Sequence, residues 1–497
     1  GAYMKKVESI LLMAAFLMAL LCGCRASPEK ESVTSKNDGS FDANSAISAT
    51  EHHSIDATKN ITYKDSFSSA DGTVEFLFDF NETVTDADMP IVKVLPHMLK
   101  GEDVKRVTEA IFGEGNFFEL DSFVEPILSK AEIQEKLSRW AQYSSNSALN
   151  ELYGDDNYNA DLVQRFIARY TEEYEMAPDD IAHQETKWQF QNGSRYYLTE
   201  QDKKQMDVSD FNDEIVLKNS RNNVDYLLIA ATRNKQTSKL NSISVAPYGG
   251  LSPDDIDTRI FYSRLCRTGK PSEEQVENAQ ELAKSILQQM NLGEWKIDQC
   301  YVSSSFYQHE DEYVINVDAV PSFNGVAAAR QDQFAGLSSD ESSYAFNYYL
   351  TNAHFEFSAD GKIVEFELDS PIDMEEVVND NVAAVDFDTL LQQAKDHLRL
   401  SDYYEYGFGS MIDDVKREED LICRVTINRL DYNLLRVKVP NSFDSFYYVP
   451  GLVLSGTTEY YGKNSGTLYY TYRNTDNENQ YSRTLLVLNA VDGTIVR

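Results

Sequence analysis

Hydrophobic and polar residues alternate from Val74 onward, so that Val74, Phe76, Phe78 and Phe80 fall on one face of an extended chain and Glu75 and Asp79 on the other. A period of two is that of a half-buried strand, and Asp71-Gly72 before it reads as a turn. Pro90 to Leu95 predicts a second strand. The spacing then lengthens to three and four. Val104, Val107 and Ile111 predict a helix over Gly101 to Phe112, stopped by Gly113. Ser129 and Glu132 form a capping box for a further helix with Ile133, Leu137 and Trp140 on its apolar face. Leu162, Phe166, Ile167 and Tyr170 predict another over Asp161 to Glu175, ended by Pro178. Strand-like runs return at Tyr226 to Ala231 and Ser242 to Val245. Residues 71–250 are therefore expected to form a mixed α+β domain, closed by the breakers Pro247-Tyr248-Gly249-Gly250 and Ser252-Pro253-Asp254.

The second half repeats one order of elements. In residues 251–380, Ser272 and Gln275 cap a helix whose stripe is Val276, Ala279, Leu282, Ile286 and Met290, with Gly293 as its stop. Strands are expected near Trp295 to Val302 and Glu312 to Val320. A hairpin follows, turning at Asp360-Gly361 between Phe355/Phe357 and Val364/Phe366/Leu368. In residues 381–497, Asp386 caps a helix bearing Phe387, Leu390, Leu391, Ala394 and Leu398. Strands then come near Leu421 to Asn428, Leu434 to Val439, Thr484 to Asn489 and Thr494 to Val496, around Asp492-Gly493. A helix followed by an antiparallel meander ending in an Asp-Gly hairpin, with the endings Ala359-Asp360-Gly361-Lys362-Ile363 and Ala490-Val491-Asp492-Gly493-Thr494-Ile495-Val496, resembles the PepSY-like domains of bacterial envelope proteins. The expected fold is thus α+β: an N-terminal mixed domain and two helix-plus-meander units that close within themselves. PepSY-like domains are linked in general with restraint of envelope proteases or with sensor-kinase accessory proteins, so the resemblance implies an envelope partner and transfers no functional residue.

The beginning of the chain adds a location. Met4 reads as the natural start, Lys5 and Lys6 precede an apolar run from Ile10 to Leu21, and Leu21-Cys22-Gly23-Cys24 closes it. Such an apolar run is shorter than the roughly 20 residues a membrane span needs. Basic, apolar and small-residue parts in this order resemble a bacterial lipoprotein signal, residues 1–23, with the lipid on the thiol of Cys24. Together with the leader, the chain resembles the uncharacterised lipoproteins of Gram-positive gut bacteria, which places it on the extracytoplasmic face of the cell membrane. Residues 24–70 are rich in Ser, Thr, Asn, Asp, Lys and Glu without a period, and are expected to be a flexible tether that includes His52 and His53.

Charge excludes one class of partner. The 497-residue chain carries −36, and because residues 1–23 hold only Lys5, Lys6 and Glu8, the remainder is near −37. Such a field repels nucleic-acid phosphates. The aromatic content, 12%, belongs to a folded body.

Motifs for catalysis are missing. Neither G-x-S-x-G nor H-E-x-x-H occurs; Gly336-Leu337-Ser338-Ser339 lacks the closing glycine, and His309-Glu310 goes no further. A Cys300 and His309 couple would lack an orienting third group. The acidic loop from Asp155 has Ala160 where a calcium loop turns on Gly and Phe166 where it needs Glu. Asp254, Asp255 and Asp257 could hold a loosely bound cation or, equally, start a helix as an acidic turn, and Glu273, Glu277 and Glu281 read as a solvated helix face. Cys266, Cys300 and Cys423 are an odd set, best read as small buried hydrophobes, although Cys266 and Cys300 could pair. What remains is tyrosine: Tyr348-Tyr349, Phe446-Tyr447-Tyr448, Tyr460-Tyr461 and Tyr469-Tyr470-Thr471-Tyr472. Adjacent residues of a strand face opposite ways, so one of each pair should face outward; outward tyrosines among Tyr469, Tyr470 and Tyr472 are the expected partner surface, for an envelope protein or a glycan, and aromatic filling between the sheet and a neighbouring domain is the alternative. The expectation is a noncatalytic envelope lipoprotein without cofactor or metal. A surface hydrolase on glycan or peptide and a solute-binding lipoprotein are the alternatives.

Overall fold

The computed structural model describes residues 41–113, 118–119, 128–153, 160–181, 214–221, 224–231, 242–248, 256–306, 309–329, 351–400, 420–440, 442, 445–472 and 483–496. In chain order its elements begin with β1 (Thr58–Ser68), β2 (Val74–Thr85), β3 (Ile91–Pro96), α1 (Gly101–Phe112), β4 (Phe118–Glu119), α2 (Lys130–Ala141), α3 (Asn146–Tyr153) and α4 (Ala160–Met176). Then come β5 (Glu214–Arg221), β6 (Val224–Ala231), β7 (Ser242–Pro247), α5 (Ile256–Cys266), α6 (Glu273–Met290), β8 (Trp295–Ser304), β9 (Tyr313–Phe323) and β10 (Val326–Ala327). The chain continues with β11 (Asn352–Phe357), β12 (Ile363–Asp369), β13 (Ile372–Asn379), α7 (Phe387–Leu400), β14 (Leu421–Lys438), β15 (Phe446–Gly462), β16 (Leu468–Tyr472) and β17 (Arg483–Asn489).

These strands make two sheets, so the fold is mixed α+β. The nine-stranded sheet runs β10-β9-β11-β12-β7-β6-β5-β4 with β8 also on β9. The eight-stranded sheet runs β1-β2-β14-β15-β3-β13, with β16 and β17 also on β15. Among the described strand pairs only β2 with β14 is parallel.

Each sheet buries one face under a helix. Ala279, Ala283, Ile286, Leu287 and Met290 of α6 share a core with Val317, Phe355, Phe357 and Phe366. Leu282 is 36% exposed, so the stripe runs through Ala283 and Leu287 instead. Leu390, Leu391, Ala394 and Leu398 of α7 pack with Phe76, Phe78, Val425, Ile427, Leu452 and Leu454. The expected caps are present: Ser129 and Ser272 each accept from the backbone three residues on and close capping boxes, and Asp386 Oδ1 accepts from Thr389 N at 2.9 Å.

Three expectations about organisation are corrected. The tether does not extend to residue 70: Phe41 is 3% exposed, its N–H donates to Lys438 O at 2.9 Å, and β1 pairs with β2 along eleven residues. An edge strand with one half-covered face needs few apolar residues, and Phe67 stacks on Phe76 at 5.1 Å while Tyr63 stacks on Phe80 at 5.8 Å. The expected strands at Leu421 to Asn428 and Leu434 to Val439 are one strand, β14, bent by a bulge at Ile427/Arg429. Here β15 approaches so closely that a Cβ on Gly456 would collide with the carbonyl oxygen of Thr426.

The linear domain order does not match the sheets either. Strand β7, before the expected boundary at 250, pairs with β12 beyond it, while β2 and β3 complete the sheet of β14 and β15. The two sheets also meet. Ala329 N donates to Leu434 O at 2.7 Å, and Phe323 of β9 packs on Tyr448 of β15 at 4.9 Å, in a core shared with Val92, Val94 and Phe446.

Candidate functional site

On β11 the alternation buries Ala353, Phe355 and Phe357, which turns His354 and Glu356 to the other face of the nine-stranded sheet. On β12 it buries Val364, Phe366 and Leu368 and turns out Glu365 and Glu367. Register assembles these polar positions into rows. Asp318, His354 and Glu367 stand side by side on β9, β11 and β12, and Asn316, Glu356 and Glu365 form the next row.

The rows are partly covered. His354 keeps 25% of its side-chain exposure, Glu356 18% and Asp318 12%. His354 Nδ1 lies 2.7 Å from Asp318 Oδ1, and Nε2 lies 3.7 Å from Glu356 Oε1. Asn316 Nδ2 donates to Ser303 Oγ at 2.8 Å. From α5, the Tyr262 hydroxyl donates to Glu365 Oε2 at 3.2 Å. Burial alone would lower the imidazole, but the bonds to Asp318 and Glu356 outweigh it and hold His354 up at about 10. Burial, joined by the charges of Glu356 and Glu367, pushes the Glu365 carboxyl up to about 7. An imidazolium and a carboxyl that titrates near neutrality can store and exchange protons. Among the described residues no group of three or more His, Cys, Asp or Glu side chains is disposed to hold a metal ion.

Beneath this face, α5 is held by buried ion pairs. Arg259 Nη1 meets Glu312 Oε2 at 2.6 Å with both side chains fully buried, and Asp257 meets Arg139 Nε at 2.8 Å and Lys136 Nζ at 3.2 Å. Asp257 is thus an anchor for α2 and not part of a cation site; Asp254 and Asp255 lie outside the described residues.

Other expected positions fall as follows. Cys24 and the leader lie outside the described residues, as do Tyr348, Tyr349 and the loop from Asp155 to Asn159. Tyr470 packs against the core of the eight-stranded sheet, 6.5 Å from the buried Tyr460, and Tyr469 is half-buried. Tyr472 ends β16, and its side chain lies outside the described residues. The register explains Tyr470, because partners across a ladder share a face and Tyr460 points inward. Phe446 and Tyr448 are buried, and Tyr461 lies under Arg424 at 4.7 Å.

Cys266, Cys300 and Cys423 are all free thiols. Burial raises each of them, Cys423 to about 12, which suits packing and not nucleophilic attack. Cys300 Sγ lies by Val276 O at 3.9 Å, while His309 Nδ1 accepts from Asp311 N at 3.4 Å, so the two are engaged separately. Glu273, Glu277 and Glu281 are exposed. His52 and His53, expected in a free tether, meet Asp88 at 2.8 Å and Asp86 at 3.0 Å.

The sheet ends differ in what they offer. β13 carries two register shifts and the acidic Asp373, Glu375 and Glu376, devices that discourage strand addition. β1 runs in unbroken register with β2 and has no proline or glycine; among the described residues no second strand pairs with it. Neither this edge nor the His354 row was legible from motifs. The signal for the row was the polar half of the alternation at His354/Glu356 and Glu365/Glu367.

No family model matches the chain, and no curated protein matches it. Among solved structures, an uncharacterized protein from Eubacterium rectale ATCC 33656 is similar over 89% of this chain and 96% of its own, at 10% sequence identity and a TM-score of 0.36.

Proposed function

We propose that the protein is a lipid-anchored lipoprotein of the bacterial cell envelope that acts without catalysis, by holding an extended segment of an envelope protein along β1. The leader ending at Cys24 supports the anchoring. The observation that carries the binding role is the β1 edge: eleven residues in register, exposed on the Thr58, Asn60, Thr62, Lys64, Ser66 and Ser68 face, with no bulge or proline to turn a strand away. Main-chain hydrogen bonds along such an edge supply affinity for an extended segment. The C-terminal helix-and-sheet units remain, on this reading, PepSY-like.

Two measurements test it. Cys24→Ser should move the full chain from the membrane to the soluble fraction, because the acyl chains provide the hold on the bilayer; retention of the cleaved variant at the original level overturns the anchor. Photo-crosslinkers at Asn60, Thr62 and Ser66 in native membranes should each give one adduct of the same mass, and crosslinkers at Asp373 and Glu376 of β13 should not. Equal yields from both edges, or none from β1, overturn the strand-binding role.

A further inference from the structure

We infer that the Glu365 carboxyl donates its proton to the buried, unpartnered oxygen of Glu356, and that this cross-strand bond latches helix α5 to the nine-stranded sheet. The two residues are direct partners across β11 and β12, where Cβ atoms stand ~4.5–5.5 Å apart and two like charges oppose each other. Glu356 Oε2 is buried without a hydrogen-bond partner, and a carboxylate oxygen can only accept. The group opposite it is Glu365. With its proton on Oε1, Glu365 donates toward Glu356 while its Oε2 still accepts from Tyr262 of α5. In that arrangement one proton serves the orphan oxygen and leaves the contact with the helix in place.

The groups facing the pair are His354 on β11, Asp318 on β9, Glu367 on β12, and Tyr262 and Cys266 on α5, whose thiol feels Glu356. His354 already shares its charge with Asp318, so it neutralises the pair only in part. When Glu365 loses that proton, its carboxylate is opposed by Glu356 and Glu367, the two neighbours that raise it, under α5. The helix stays tied through Arg259 and Asp257, so the expected response is local opening and not global unfolding.

The direction follows from linkage. Glu365 is raised from the ordinary 4.5 to about 7, so its stabilising contribution is complete below about 4.5 and is lost as pH rises through about 7. In the full-length protein, amide exchange over residues 256–266, corrected for intrinsic rates, should accelerate between about pH 5 and pH 7.5, by at most about tenfold per pH unit. Glu365→Gln, which mimics the protonated side chain, should flatten that rise. An unchanged pH profile in Glu365→Gln overturns the latch. If that variant does not fold, infrared difference spectra of the unaltered protein decide: the carbonyl band of a buried protonated carboxyl should be present near pH 5.5 and gone near pH 8.5, and its absence at the lower pH overturns the proposal.

Discussion

His97, at the end of β3, places its Nε2 3.2 Å from Oδ2 of Asp103 in the first turn of α1, so that one imidazole joins the eight-stranded sheet to a helix packed on the other sheet. Its Nδ1 reaches Asp373 of β13 at 2.8 Å. Asp103 is itself buried and accepts from Lys100 N at 2.8 Å, so one carboxylate serves both as cap and as interlayer contact.

Loss of that carboxylate should therefore act twice. Asp103→Ala is expected to destabilise the protein by about 1–3 kcal/mol, through the missing cap and the stranded partners His97 and Arg106. Asp103→Asn keeps an accepting oxygen and should cost less. Urea unfolding of the two variants beside the parent measures both, and equal midpoints for all three would contradict the double role.

Breaking the Arg259–Glu312 pair should be costly. Both side chains are fully buried, and Ser305 Oγ also donates to Glu312 at 2.9 Å. Arg259→Met leaves a buried carboxylate, with Arg267 3.5 Å away as the remaining cation, so a loss of about 3–5 kcal/mol is expected. Thermal unfolding within experimental error of the parent would show that the pair is not the clamp described.

A fragment of residues 251–497 should not fold cooperatively. It lacks β2 and β3, the neighbours of β14 and β15, and would leave Val425, Ile427 and Tyr448 without the Phe76, Phe78 and Val92 they pack with. Amide resonances without dispersion are expected, and a dispersed spectrum with a single sharp transition would restore the linear domain order.

Alkaline pH should weaken the sheet at His354. Its imidazole is raised from 6.5 to about 10, so the stability it supplies is complete below about 6.5 and is lost as pH rises through about 10. Melting temperature should fall across that window in the parent and fall less in His354→Gln. A steeper fall in the variant would reverse the assigned sign. This window lies above that of Glu365, so the two groups can be separated by variant and by pH.

Local periodicity was enough to locate many elements. Val74 to Phe80, the stripes on α1, α6 and α7, and the caps at Ser129, Ser272 and Asp386 are read from neighbours a few residues apart, and the structure places each of them in the expected kind of element. β1 escaped this reading because Ile61, Tyr63 and Phe67 bury only one face at an edge, and their partners on β2 lie across a turn. What the tertiary structure alone decided is pairing. Nothing near β14 announces that β2 will lie beside it, since the paired Glu75 and Arg424 are 349 positions apart in the sequence and hydrogen-bond register is set by packing across the whole core. The same holds for the proton-bearing row: His354, Glu356 and Glu365 are ordinary outward residues along their own strands, and only cross-strand register and the cover of α5 bring their charges close enough, in a dry enough place, to shift what they hold.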